Sequence, residues 1–206
     1  TAVLLEAVVN DRPPLKKLIV ASSMSIYGEG QYRCNRCGPA FPALREEAQL
    51  RAKRWEMSCP VCRQTVQAEP TPEDKPLAPT SVYAVSKRDQ EELCLSVGRS
   101  CRIPTVALRY FNVYGPRQSL SNPYTGVCAI FSARIKNGHS PLIFEDGQQS
   151  RDFVHVRDIV QANLLAMQHA EADYQVFNVG TGRPTSILAI ATMLRGLYKG
   201  TVQPTL

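Results

Sequence analysis

No continuous apolar run in this 206-residue chain approaches the roughly 20 residues of a membrane span. Its start has no basic, apolar and small-residue succession of a targeting signal. The composition, 44% hydrophobic and 20% charged, carries no mark of disorder or of a fibre. It is sufficient for one globular domain with a sizeable core and a small appendage. The chain also lacks the even, evenly scattered cysteines of a secreted disulfide scaffold. Its seven cysteines fall as two CxxC pairs and three singles, a pattern that points to a reducing, cytoplasmic compartment. The singles, Cys94, Cys101 and Cys128, lie in apolar or helical surroundings and are expected to be buried small hydrophobes.

Charge of one sign predominates. The formal net charge is +6, which four metal-bound thiolates and a dication would reduce by about 2. Arg45, Arg51, Lys53, Arg54 and Arg63 cluster near the paired cysteines. Such a cluster can be a nucleic-acid footprint. A solvated basic face, or a site for a small anionic ligand, is the reading preferred here.

The pattern along the chain alternates strands and helices. Residues 2–9 (AVLLEAVV) read as the last turns of a helix, broken by residues 10–14. Residues 17–22 (KLIVAS) read as a short apolar strand of the kind buried in a parallel sheet. Further strands are expected at 105–108, 142–144 and 175–178. Helices are expected at 81–97, 127–136, 156–170 and 186–197. Strands alternating with helices of this length predict an α/β fold with a mostly parallel, doubly wound sheet. Ligands in such sheets sit beyond the carboxyl ends of the strands, where the SSMSIYG motif follows the first strand.

Residues 31–64 differ in texture, with four cysteines, many arginines and little periodic apolar pattern, and are too short to form a hydrophobic core of their own. Residues 1–30 are thus the first part of a Rossmann-like core, 31–64 a zinc-ribbon-like insertion and 65–80 a linker loop. Residues 81–206 continue the core and enter part of a substrate-binding region. Cys34-x2-Cys37 and Cys59-x2-Cys62 are separated by 21 residues. Each pair can turn around one metal ion, and together they complete a tetrahedral shell of four sulfurs. Gly38 follows the first pair, where a tight turn needs it. Zinc is the expected ion, with iron and a redox dithiol as rivals. Four sulfurs leave no open position, so the metal would be structural. Trp55 is expected to pack this lobe, and its rival role is to stack on a nucleic-acid base.

Tyr83 and Lys87, four apart in SVYAVSK, lie on one face of a helix, one turn apart. An ammonium beside a phenol favours the phenolate, which makes Tyr83 an acid/base candidate. Ser23, at a strand end, can donate to the same substrate oxygen. Spacing alone leaves this open, because many helices carry Tyr and Lys four apart by chance.

The wider set is ASSMSIYG at 21–28, YAVSK at 83–87, RYFNVYGPRQ at 109–118, EDGQQSRDFVHVRD at 145–158 and FNVGTG at 177–182. In this order they resemble the extended short-chain dehydrogenase/reductase family, specifically its NAD-dependent nucleotide-sugar epimerases and dehydratases. The resemblance covers nearly all of the chain except about 31–78. It implies that Tyr83 is the catalytic acid/base and that Lys87 binds the nicotinamide ribose and tunes Tyr83. Ser23 fills the family's Ser/Thr position. Asn112 would contact the nucleotide-sugar diphosphate, and Arg151 would clamp it. Tyr110 and Phe111 would be wall and core. His155 would be structural or capping, and Asp158 a buried acceptor holding a loop.

The family's 4,6-dehydratases carry Thr-Asp-Glu where this chain has Ser23, Met24 and Ser25. Neither Met24 nor Ser25 is a general acid, which disfavours dehydration and leaves C4 epimerisation through a transient ketosugar. A decarboxylase or reductase remains open. The CxxC insertion and the NPYTGV stretch at 122–127 are similar to epimerases acting on dTDP-L-rhamnose or related deoxysugars, beside those acting on UDP-glucose. The resemblance further implies a homodimer formed through residues 1–10 and 81–97. A zinc-ribbon module binding nucleic acid or protein is the non-enzyme alternative.

The family's opening strand, GxxGxxG turn and helix are missing from this sequence. The chain reads as starting inside a later helix, with roughly a hundred residues of βαβαβ absent. It also reads as cut before the rest of a substrate lobe, so these 206 residues alone are expected to bind NAD poorly and to be inactive.

Overall fold

The computed structural model describes residues 1–119, 126–199 and 203–205. Residues 122–125 of the NPYTGV stretch lie outside them. In chain order, helix α1 (Ala2–Asp11) leads to strand β1 (Leu18–Ser23) and a 3-10 turn (Met24–Tyr27). An excursion follows, holding β2 (Gln31–Cys34), β3 (Gly38–Ala40), α2 (Glu47–Arg51) and β4 (Gln67–Glu69). The chain continues through α3 (Val82–Cys101), β5 (Thr105–Tyr110), β6 (Asn112–Tyr114), α4 (Val127–Lys136), β7 (Ser150–His155) and α5 (Val156–Gln168). It then passes through β8 (Val176–Val179), β9 (Pro184–Ser186) and α6 (Ile187–Leu197). Among the described residues no helix is long and apolar enough to cross a membrane.

Two compact units result. The first contains a parallel sheet in the order β1-β5-β8. The central strand β5 is buried over its first five residues, as a strand covered on both faces must be. Alternation sends its side chains to opposite faces. Ala107 packs with Leu5, Val20, Cys94 and Leu95 under α1 and α3. Val106 and Leu108 pack with Ala166 of α5 and with Ala172. A Cβ added at Gly98 of α3 would lie 2.0 Å from the Thr105 hydroxyl, so glycine there permits the helix to approach the strand.

The second unit holds a small mixed sheet, with β6 parallel to β7 and β7 antiparallel to β9. Beneath it Phe131, Ile143, Ile190 and Ala191 are buried, contributed by α4, α6 and the segment between α4 and β7.

The expected helices and the strands at β1, β5 and β8 are present. Residues 142–144 make only an isolated bridge, Leu142 to Thr205, instead of a strand. Strands β6, β7 and β9 have no clear counterpart in the sequence pattern. The expected linker at 65–80 begins as strand β4, paired antiparallel to β2. The insertion also has a small core of its own, Cys34, Ala40, Met57, Cys59 and Val66. Sulfur-bearing side chains supply most of its volume, which a count of aliphatic residues misses. Trp55 is not a member of that core. Cys94 is buried as expected, but Cys128 is only partly buried and Cys101, at the last turn of α3, is exposed.

One charged pair lies inside the first unit. Arg109 of β5 and Glu91 of α3 have side chains only 6% and 3% exposed. They meet through two hydrogen bonds, Nη2 to Oε1 at 2.5 Å and Nε to Oε2 at 3.1 Å. Removing one member of such a pair strands a buried charge, at a cost of about 3–5 kcal/mol. Arg109→Met is therefore expected to lower the unfolding free energy by about that amount in urea titration. Arg109→Met with Glu91→Leu should recover part of it, since Ser22 and Tyr27 still lose partners. A loss below about 1 kcal/mol for the single variant would contradict the reading.

Candidate functional site

Ser23 ends β1 in extended backbone and caps the 3-10 turn that follows. Its Oγ accepts hydrogen bonds from the Ser25 amide at 3.2 Å and the Ser25 hydroxyl at 2.9 Å. A hydroxyl has two acceptor positions and one proton. With both acceptor positions taken, what Ser23 offers a ligand is its proton.

Helix α3 starts at Ser81, whose side chain accepts from the Ala84 amide as an N-cap. Tyr83 stands in the first turn, 42% exposed. Lys87, one turn on, reaches back to β1 and donates to the Ala21 carbonyl at 2.8 Å, two residues before Ser23. It also donates to Gln90 Oε1 at 3.0 Å. An ammonium has three donors, so among the described residues one remains for a ligand. Partial burial holds the Lys87 ammonium below the ordinary lysine range. The structure thus brings Lys87 onto the strand that ends in Ser23, with Tyr83 on the same helix.

Asn112 and Arg151 lie in the second unit, on the paired strands β6 and β7. Asn112 Nδ2 donates to the Asp152 carbonyl at 3.2 Å. Arg151 is exposed, and its guanidinium donates to the Ser150 carbonyl at 2.7 Å. The expected loop-holding carboxylate, Asp158, is instead exposed on the first turn of α5. Asp152 does that work. It accepts from the Thr181 amide and hydroxyl and from the Gly182 amide, all within 2.7–2.9 Å. A Cβ at Gly180 would stand 2.7 Å from the same carboxylate, so glycine there lets the GTG backbone approach Asp152. His155 caps α5 as expected, its Nδ1 accepting from the Arg157 amide at 3.2 Å. Its ring packs edge-on against Tyr114.

The second unit also contains a cavity of about 1060 Å³. Arg117, Lys136, Arg183 and His155 line it together with apolar and aromatic side chains, and among the described residues no carboxylate does so. The sequence reading missed Arg117 and Arg183. Arg117 sits inside the quoted RYFNVYGPRQ motif, and Arg183 directly follows FNVGTG.

The four paired cysteines converge. Their sulfurs all lie within 4.8 Å of one another, and Cys34 and Cys62 are 3.4 Å apart. A tetrahedral shell with metal–sulfur bonds of about 2.3 Å has sulfur–sulfur edges of about 3.8 Å, so the cluster has the size of such a shell. Gly38, at φ +80°, closes the first turn in the left-handed region as expected. The second turn closes with the Arg63 amide on the Cys59 carbonyl at 3.0 Å. Amide groups of Cys62 and Val61 hold the Cys59 thiol down to about 7. Hydrogen bonding to the Cys62 side chain pushes Cys37 up to about 12.

Comparison with known proteins adds the following. Residues 58–180 match the model of the NAD dependent epimerase/dehydratase family. A dTDP-L-rhamnose 4-epimerase of Burkholderia thailandensis is 32% identical over 198 residues, which are 96% of this chain and 53% of that protein. The structure of a UDP-glucose 4-epimerase from Thermotoga maritima, in complex with UDP-glucose, superposes with a TM-score of 0.74 at 32% identity. It matches 99% of this chain and 53% of the other. A Bacillus cereus UDP-glucuronic acid 4-epimerase, bound to UDP-glucuronic acid and NAD, gives 0.72 at 27% identity, over 98% of this chain and 51% of the other. The chain therefore spans about half the length of the relatives it matches. By the extent of the family match, together with the α/β fold and the ordered motifs, this chain belongs to the NAD dependent epimerase/dehydratase family.

Proposed function

We propose that the protein inverts C4 of a nucleotide-diphosphate sugar through a transient 4-ketosugar. The observation that carries this is the joining of Lys87 to the strand carbonyl beside Ser23, whose two acceptor positions are filled. Ser23 would donate its proton to the C4 oxygen and hold it. Tyr83 would remove the C4 hydroxyl proton and return it after the ketosugar has turned. Lys87, with its remaining donor, would hold the nicotinamide ribose of NAD on the helix that carries Tyr83. NAD supplies the hydride acceptor and donor for C4. The residues here fit the nicotinamide end of that cofactor. No glycine-rich pyrophosphate turn occurs in the 206 residues.

Asn112 and Arg151 are proposed to bind the diphosphate. The cationic cavity bearing Arg117, Lys136 and Arg183 supports an anionic ligand with an apolar or aromatic portion. Dehydration is disfavoured because Met24 and Ser25 bring no carboxyl group to the Ser23 turn, and the Ser25 hydroxyl is donated to Ser23. The match to relatives extends well beyond the cysteine lobe, so a free-standing zinc-ribbon module for nucleic acid is not favoured.

The four cysteines are proposed to hold one structural Zn²⁺, which would displace the thiol protons on binding. Four thiolate ligands in two CxxC pairs accord with a reducing, cytoplasmic setting. A homodimer is proposed through α1 and α3. Val3 and Val82 stand 80% and 89% exposed there, and Leu5 of α1 packs with Cys94 and Leu95 of α3.

Three measurements test these statements. Incubation of the full-length protein with NAD and UDP- or dTDP-linked sugars should yield the 4-epimer, with Tyr83→Phe slower by about 10²–10⁴-fold. A dehydrated ketosugar as product, or full turnover by the variant, would contradict the mechanism. Elemental analysis should find one zinc per chain, lost on Cys34→Ser with Cys59→Ser, whereas bound iron would overturn the metal assignment. Light scattering should give a dimer that Val3→Glu with Val82→Glu converts to a monomer; an unchanged mass would exclude this face.

A further inference from the structure

The cysteine lobe departs from the first unit just after the Ser23 turn and returns through residues 69–78. At this neck the Gln31 amide donates to Thr71 Oγ1 at 3.0 Å, joining the outgoing and incoming strands. The incoming strand is tied to the parallel sheet. Asn178 of β8 donates through its side chain to the Thr71 carbonyl at 2.8 Å, and its amide donates to Glu73 Oε1 at 2.9 Å. Arg109 of β5 donates through Nη1 to the Glu73 carbonyl at 2.8 Å.

The same two residues hold Tyr27, the last residue of the 3-10 turn that Ser23 caps. The Tyr27 hydroxyl accepts from Arg109 Nη1 at 2.6 Å and donates to Asn178 Oδ1 at 2.8 Å. The guanidinium carbon stands 4.9 Å from the ring centroid. Two further bonds tie the turn to the neck. Buried Lys75 donates to the Tyr27 carbonyl at 2.8 Å, and the Ala78 amide donates to the Ile26 carbonyl at 3.1 Å. Gly28, at φ +67°, lies so close that an added Cβ would stand 2.2 Å from the Ala78 carbonyl oxygen.

A buried phenol needs hydrogen-bond partners in any core, and one partner would satisfy it. Here both partners also hold the neck. Arg109 completes its ion pair with Nε and Nη2 and turns Nη1 to two elements outside that pair. Tyr27 is four residues from Ser23 within one tight turn, so a small rotation of the turn redirects the Ser23 proton. Misplacement by about 1 Å can cost about 10²-fold in rate.

We propose, resting on the role given to Ser23 above, that Tyr27 is a positioning residue for the reaction. The junction of Arg109, Tyr27 and Asn178 clamps the Ser23 turn to the neck of the cysteine lobe and sets the direction in which Ser23 presents its proton. Tyr27→Phe in the intact protein tests this, since it removes one hydroxyl and keeps the ring. The expected result is a fall in kcat of about 10- to 100-fold with KM changed by less than about twofold. Hydrogen exchange at the Gly28 and Ala78 amides should rise by about tenfold, within the usual range of coupling between linked sites, while β5 stays protected. Unchanged kcat, or a loss equal to the unfolded fraction, overturns the proposal. If the unsubstituted protein shows no epimerisation, the proposed function falls, and exchange alone decides the clamp: a turn that stays protected in the variant overturns it, and a loosened turn upholds it.

Discussion

A guanidinium inside the first unit sets the conditions for much else. Arg109 lies on the central strand, and a charge there is tolerated only with its hydrogen-bonding capacity taken up. Its partners are the Glu91 carboxylate on α3, the Tyr27 hydroxyl and the Glu73 carbonyl. Satisfying one side chain therefore draws together the helix that carries Tyr83 and Lys87, the turn that begins at Ser23 and the segment returning from the cysteine lobe. Ser22 adds a second tie, donating to Glu91 at 2.5 Å. Burial alone would push the arginine toward losing its proton, but Glu91 and Tyr27 outweigh it and raise its pKa further. The charge is thus permanent.

The cysteine lobe solves a different problem. Few of its residues are aliphatic, and three short strands cannot bury enough apolar surface to be stable alone. Two tight turns bring four sulfurs together, and the same sulfurs form much of the small buried cluster. A metal at that point would cross-link both turns and supply what the apolar contacts lack. The basic side chains around the lobe are largely solvated or locally paired, Arg33 with Glu69 and Arg51 with Glu47 among them.

The residues assigned to chemistry are distributed over two units, each with its own core. Ser23, Tyr83 and Lys87 stand on elements of the parallel sheet and its covering helix. Asn112, Arg151 and the cationic cavity stand on the smaller mixed sheet. This division matches the two tasks assigned to them, handling a sugar hydroxyl and holding an anionic nucleotide.

The chain itself determined the α/β class, the helices and three central strands and the paired cysteines, and it singled out the Ser23, Tyr83 and Lys87 set on which the proposed function rests. These follow from local periodicity, fixed spacing or motifs in a specific order, all of which are properties of neighbouring residues. Tertiary structure alone decided which acid holds the GTG loop, Asp152 rather than Asp158, because both stand in the same motif and differ only in what lies opposite. It decided that β6, β7 and β9 are strands, since the three-residue β6 and β9 have little intrinsic preference and all three exist through their pairing. It decided that residues 65–80 are a structured return path and not a passive linker. Lys75, Glu73 and Thr71 read as ordinary loop residues until Tyr27, Arg109 and Asn178 are placed beside them. Hydrogen-bond partners separated by dozens of residues leave no local pattern in a single sequence, and only the folded chain supplies them.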